Sequence, residues 1–114
     1  MSREYIDYLR DMLENAQLAI GFVKGTDYDA FSKDNKTVYA VIRAVEVIGE
    51  AATNVPDEIR SKHPSLPWRD IRGMRNKLVH QYFGINMEVV WKTILEDLPM
   101  IVGEIEKILK NENK

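Results

Sequence analysis

A chain of 114 residues has room for one domain, expected over residues 1–114. Its composition, 45% hydrophobic and 30% charged, excludes a disordered or fibrous polymer. A net charge of −2 excludes a polycation that coats nucleic acid indiscriminately.

Apolar residues recur at helical spacing almost throughout. From Tyr5 the stripe runs Leu9, Met12, Leu13, Ala16, Ile20 and Val23. Gly25 and the pair Thr26 and Asp27 end that first helix and cap the next segment. A short helical turn is expected over residues 28–33, and Asp34 or Asn35 caps a second long helix. Its stripe is Val38, Val41, Ile42, Val45, Ile48 and Ala52, with Asn54 at its end. Pro56, Asp57 and Glu58 open a brief third helix that His63 and Pro64 stop. A fourth helix is expected from Pro67 or Trp68 to about Val79, then a turn over residues 81–85. Asn86 caps a last helix whose stripe is Met87, Val90, Trp91, Ile94, Leu98, Ile101, Ile105 and Ile108. Pro99 lies inside that pattern and predicts a kink or a break. Residues 110–114 are polar and expected to fray. No stretch alternates with period two for long enough to build a sheet. The fold class is therefore all-α, an antiparallel helical bundle of four to five helices.

The absence of cysteine excludes a disulfide framework, a thiolate metal site and a Cys nucleophile. His63 and His80 are the only histidines and lack the HExxH spacing, so no metal and no cofactor is expected. The longest apolar stretches, such as residues 18–23, fall far short of the ~20 needed to cross a bilayer. Arg3, Glu4, Asp7 and Arg10 do not make a signal peptide. The expectation is a cytoplasmic protein with no membrane contact.

Charge is unevenly spread. Between residues 60 and 77 stand Arg60, Lys62, Arg69, Arg72, Arg75 and Lys77 against the single acid Asp70. Such a run either binds a polyanion locally or pairs with acids on neighbouring helices. On a continuous helix Arg72, Asn76 and His80 lie in line, and Arg75 is about 140° from His80 at ~100° per residue. Gly73 costs a helix about 1 kcal/mol against Ala, which suggests that something approaches closely there. Arg, Asn and His suffice for RNA cleavage without a metal, because RNA carries its own nucleophile in the 2′-hydroxyl. His supplies proton transfer near neutral pH. Arg binds non-bridging phosphate oxygens and keeps the imidazole neutral. The plainer alternative makes His80 a residue at a helix C-terminus, favoured by the dipole.

The stretch Arg75-Asn76-Lys77-Leu78-Val79-His80-Gln81-Tyr82 resembles the Arg-x4-His-x-Tyr motif of the HepT-like branch of the HEPN superfamily. Ala40-Val41-Ile42-Arg43 with Gly49-Glu50-Ala51-Ala52, Pro67-Trp68-Arg69-Asp70-Ile71, and Trp91 with Asp97-Leu98-Pro99 are similar to the same family, so the likeness covers about residues 5–109. The resemblance implies a HEPN-like bundle and a metal-independent endoribonuclease toxin. It further implies a homodimer with a composite active site and, as antitoxin, an MntA-type nucleotidyltransferase that transfers AMP to a tyrosine. Carried over, Arg75 and His80 are catalytic, Asn76 is accessory and Tyr82 is the modified residue. Arg69, Arg72 and Lys77 are then the expected RNA contacts. The rival is a non-catalytic HEPN module that binds and regulates a nucleotidyltransferase or a nucleotide.

Other signals have simpler readings. Asp27-Tyr28-Asp29 is a capping turn before it is a metal site, and His63 is a loop residue. Trp68 and Trp91 belong to a core or a dimer interface before they are stacking platforms. Arg43 and Glu50 either bridge helices or reach the cleft.

Overall fold

The long apolar stripes become three helical runs in the computed structural model, which describes residues 4–80 and 84–112, His80 by its backbone alone. The first is α1 (Tyr5–Phe22) and the second α3 (Asn35–Asn54), joined through the short α2 (Tyr28–Ser32). The third is α7 (Met87–Lys92), a π-helical turn (Thr93–Asp97) and α8 (Leu98–Glu112) in unbroken succession. Between them lie α4 (Asp57–Lys62), α5 (Trp68–Arg72) and α6 (Met74–Leu78). The expected all-α bundle is found.

Local chemistry sets the element starts. Asp27 accepts from the Ala30 amide at 2.9 Å, Asp34 from the Thr37 amide at 3.2 Å, and Asn86 from the Val89 amide at 3.3 Å. Each satisfies one of the orphan donors of a helix's first turn. Asp34, rather than Asn35, caps α3. Its carboxyl is held below the usual range chiefly by the Thr37 hydroxyl, which donates to it at 2.6 Å.

Leu9, Met12 and Ala16 of α1 are wholly buried against Val41, Val45 and Ile48 of α3 and Leu98, Ile101 and Ile105 of α8. Each large side chain withdrawn from water contributes about 1.5–3 kcal/mol before entropy is charged against it. The beginning of α1 meets the end of α8, where the Tyr5 hydroxyl donates to Glu112 at 2.8 Å. It also meets the end of α3, where Tyr8 and Asp11 share a recess with Glu50 and Asn54. Both neighbours of α1 are therefore antiparallel to it.

One expectation is met in part and two need correction. Pro99, expected to kink or break the last helix, leaves a continuous helical run whose α-helical pattern is interrupted by the π-turn Thr93–Asp97. Having no N–H, and with a ring that crowds the preceding turn, it is accommodated by a widened turn in which the Leu98 amide reaches back to the Thr93 carbonyl. The end of the chain does not fray before Glu112. That carboxylate is 9% exposed in its side chain and lies 2.7 Å from His63 Nε2, so His63 is a loop residue, as expected, and one tied down by this contact. The fourth helix is two pieces, α5 and α6, separated at Gly73, and it ends at Leu78, about where expected.

Beyond α6 the backbone turns extended. Val79 and His80 (β1) pair antiparallel with Gly84 and Ile85 (β2), in the register Val79 to Ile85 and His80 to Gly84. Gly84 takes φ +80, a conformation that costs glycine little. The Asn86 amide bonds to the Leu78 carbonyl at 2.8 Å. These contacts take the backbone hydrogen bonds that further helix would have used, so Gly84 and Ile85 are ladder residues rather than part of a turn.

The close approach expected at Gly73 occurs instead at Gly49. A Cβ on Gly49 would stand 3.3 Å from the Ile71 carbonyl oxygen and 3.4 Å from that of Arg72, whereas one on Gly73 would meet nothing nearer than 3.8 Å. Gly49→Val is expected to lower stability by about 1–3 kcal/mol, because backbone must move to admit it. Gly73→Ala, at φ −99 where any residue fits, is expected to be neutral or stabilising by up to about 1 kcal/mol. Urea denaturation midpoints of the two variants check this, and a tolerated Gly49→Val contradicts it.

A pH dependence arises from the clasp at Glu112. The hydrogen bond to His63, then that to Tyr5, holds this carboxyl below the ordinary range. A depressed carboxyl adds stability above its unfolded value of ~4.3 and loses it as pH falls through the folded value. Wild type is therefore expected to exceed Glu112→Gln in denaturation midpoint above about pH 5, the gap closing in more acid solution. A gap that is constant with pH contradicts the assignment.

Candidate functional site

On α3, Glu46, Gly49, Glu50 and Thr53 fall at helical spacing on one face. The Thr53 hydroxyl is spent on the Gly49 carbonyl at 2.9 Å. With no side chain at Gly49, the backbone of α5 lies directly on this face. Arg72, Arg75 and Asn76 then form the facing wall of a groove of about 220 Å³. All three are exposed on short helices whose other faces bury Ile71, Met74 and Leu78.

The groove is balanced in charge rather than uniformly positive. Arg75 Nε lies 3.8 Å from Glu46 Oε2, with the two side chains 48% and 34% exposed. Glu50 pairs with Arg43 at 3.7 Å on its other side. Exposed pairs of this kind contribute at most about 1 kcal/mol, so an incoming anion can displace Glu46 from Arg75 at modest cost. Arg43 thus bridges along α3 and does not itself line the groove, whereas Glu50 does.

The basic run is dispersed by the fold. Arg60 pairs with Asp57, and Lys62 lies 3.6 Å from Glu112. Among the described residues no ion pair within 4 Å engages Arg69, Arg72 or Lys77. Of these three only Arg72 lines the groove. Lys77 opens on a different pocket across α6, and Arg69 lines neither. Lys62 and Arg75 fit the plainer reading, in which basic residues pair with acids on neighbouring helices, while Arg60 pairs within its own helix.

The expected line of Arg72, Asn76 and His80 along one helix face does not form, because α6 ends at Leu78 and His80 is extended. Arg72 and Asn76 do share the groove. The His80 side chain and Tyr82 lie outside the described residues, and so do Gln81 and Phe83.

The remaining candidates settle into structural roles. Asp27 is a helix cap, and Asp29 pairs with Lys33 at 3.2 Å. Trp68 is buried and donates from Nε1 to the His63 carbonyl at 3.0 Å. Trp91 packs on Phe31 with ring centroids 5.1 Å apart and meets Tyr28 edge-on. Glu46 and Thr53 do not stand out in the sequence. Their signal was a polar face of α3 in register with Gly49, a glycine where a long helix would otherwise favour Ala.

Chemically, the groove offers two guanidinium groups and a side-chain amide able to hold a phosphate, with Glu46 paired to one of the guanidinium groups, that of Arg75.

Comparison with known proteins gives the same direction. The family model described as Ribonuclease HepT-like matches residues 12–108. The "Probable ribonuclease HepT" of Thermococcus cleftensis is 44% identical over 110 residues, covering 96% of this chain and 100% of that protein. A protein of Caldanaerobacter subterraneus subsp. tengcongensis, provisionally named an RNase, is 42% identical over 105 residues, 92% of this chain and 94% of that one. Another so named, from Methanocaldococcus jannaschii, is 44% identical over 104 residues, 91% and 86% of the two chains. No solved structure matches at a significant level. The chain belongs to the HepT-like ribonuclease family of the HEPN superfamily.

Proposed function

We propose that this protein is an endoribonuclease that cleaves RNA by attack of its own 2′-hydroxyl, with Arg75 and His80 as the catalytic pair and no divalent ion taking part. The observation that carries the reading is the groove in which Arg72, Arg75 and Asn76 stand together, Arg75 five residues before the histidine of the motif. The family membership and the RNase names of its relatives support the substrate class.

In this reaction Arg75, with Arg72, binds the non-bridging oxygens of the scissile phosphate and stabilises the charge that grows on them in the five-coordinate transition state. His80 takes the proton of the 2′-hydroxyl as the O2′–P bond forms. The P–O5′ bond breaks and the leaving oxygen takes a proton from solvent water, leaving a 2′,3′-cyclic phosphate and a 5′-hydroxyl, and the His80 imidazolium returns its proton to solvent. Asn76 orients the imidazole or donates to the phosphate. Glu46 holds Arg75 in the empty site and yields it to the substrate.

The same reading makes the chain the toxin of a toxin–antitoxin pair, active as a homodimer in which both protomers contribute to one cleft. Apolar residues exposed on α1, Leu18 at 52% and Phe22 at 45%, are consistent with a protein partner. The antitoxin is a nucleotidyltransferase of the MntA type that adds AMP to Tyr82. Each transfer places a phosphodiester anion and a nucleoside two residues from His80, where they neutralise an arginine and occupy the substrate's place.

Cleavage of single-stranded RNA in EDTA tests the chemistry. Wild type is expected to turn over, and Arg75→Ala and His80→Ala to fall by about 10²-fold or more. Equal rates in wild type and His80→Ala, or an absolute need for a divalent ion, overturn the reading. A separate expectation concerns the acceptor. Tyr82→Phe retains nuclease activity and takes no AMP from the nucleotidyltransferase, and continued labelling of that variant means another residue is modified.

A further inference from the structure

On the far side of α5 and α6 from the arginine groove lies a second pocket, of about 370 Å³, closed on its other side by α7, the π-turn and α8. Its floor is apolar, formed by Ile71, Met74 and Ile101, all of them buried. Four charged side chains stand at its rim: Lys77 and Lys92, and Asp70 and Asp97. All four are exposed. Among the described residues none of them has an ion-pair partner within 4 Å. The Thr93 hydroxyl in the wall is already spent on the Val89 carbonyl at 2.8 Å. The volume is within the range of small-molecule sites, and an apolar floor with a few unpaired polar groups is their usual make-up.

These charges ask for a ligand with two different ends. Lysines are donors only and suit phosphate, while carboxylates are acceptors only and suit N–H groups. A flat ring lies on the floor between them. A nucleotide of single-stranded RNA, its base unstacked and splayed, has this make-up. Among the bases, guanine presents two adjacent donors, N1–H and the 2-amino group, to which a carboxylate bonds. Uracil turns carbonyl oxygens to either side of its one N–H and is repelled. The pocket and the arginine groove share one short helix, and an α-helix is ~10–12 Å across. A strand held by Arg75 on one side of α6 can therefore deliver a neighbouring nucleotide to Lys77 on the other.

We propose that this pocket receives a splayed guanine next to the cleaved phosphate, with Lys77 and Lys92 on the flanking phosphates and Asp70 and Asp97 on the donor edge of the base. The proposal rests on the RNA-cleaving reading above and adds to it a base preference.

Guanosine and inosine 5′-monophosphates, which differ only in the 2-amino group, test it on the full-length protein by NMR titration. The guanosine nucleotide is expected to bind about tenfold more tightly and to shift the amides of Ile71, Met74 and Lys77. In the Asp70→Asn/Asp97→Asn double variant, whose substitutions are isosteric and exposed, the preference is expected to vanish. Equal affinities in wild type, or an unchanged preference in the variant, overturn the proposal. A second arm cleaves RNAs in which the guanine beside the cut is replaced by inosine, with the same tenfold ratio expected. If wild type prefers guanosine in the titration yet cuts no RNA, the ribonuclease reading fails and the pocket stands. If it cuts both RNAs equally, the pocket assignment fails and the ribonuclease reading stands.

Discussion

The site depends on one close approach. Gly49, in the interior of α3, lets the carbonyls of Ile71 and Arg72 come within 3.3–3.4 Å of where its side chain would be. A helix interior normally favours Ala over Gly by up to about 1 kcal/mol, so the sequence accepts a local loss to bring two backbones together. Nearly everything about the groove stems from that contact. Arg72 and Arg75 lie over Glu46 and Glu50 because α5 and α6 rest on this face, and the opposite side of the same short helices is left to wall a second pocket.

Charge placement then decides how the surface works. A run of six basic residues could have made one positive stripe, but the fold distributes it. Arg60, Lys62 and Arg75 pair with acids, Lys77 turns to the other pocket, and Arg72 is left without an ion pair beside the paired Arg75. A site that sets two guanidinium groups beside two carboxylates has little net charge and so little long-range pull on polyanions. In the proposed reaction its affinity comes when a phosphate replaces Glu46 on Arg75, which favours local recognition over indiscriminate binding.

The helical architecture was legible because burial is periodic. Leu9, Met12 and Ala16, or Ile101, Ile105 and Ile108, announce their faces by spacing alone, and Asp27, Asp34 and Asn86 announce the helix starts. The interruptions were less legible, since each depends on a non-local competitor. The end of α6 at Leu78 is set by pairing with Gly84 and Ile85, and the π-turn is the last helix's way of keeping Pro99. The anchoring of Glu112 depends on His63, 49 residues away. At the site, the four-residue interval between Arg72 and Asn76 was legible, and both line one groove with Arg75. The role of Glu46 was not legible, because its pairing with Arg75 is a tertiary contact between α3 and α6, and the polar face it shares with Gly49 does not by itself name a partner. The placement of His80 beyond the helix end changes how the motif is understood, since its five-residue interval is measured across a helix terminus and into an extended segment.

The proposed chemistry thus reduces to a guanidinium on a short helix and an imidazole on the extended segment after it, serving one phosphate. The most direct measurement is a crystal structure of the protein with uridine vanadate, which mimics five-coordinate phosphorus. Arg75 and His80 are both expected within hydrogen-bond reach of vanadate oxygens, about 2.6–3.2 Å, in the groove beside Asn76. Vanadate bound there by Arg75 with the His80 ring turned elsewhere, or bound outside the groove altogether, contradicts that chemistry.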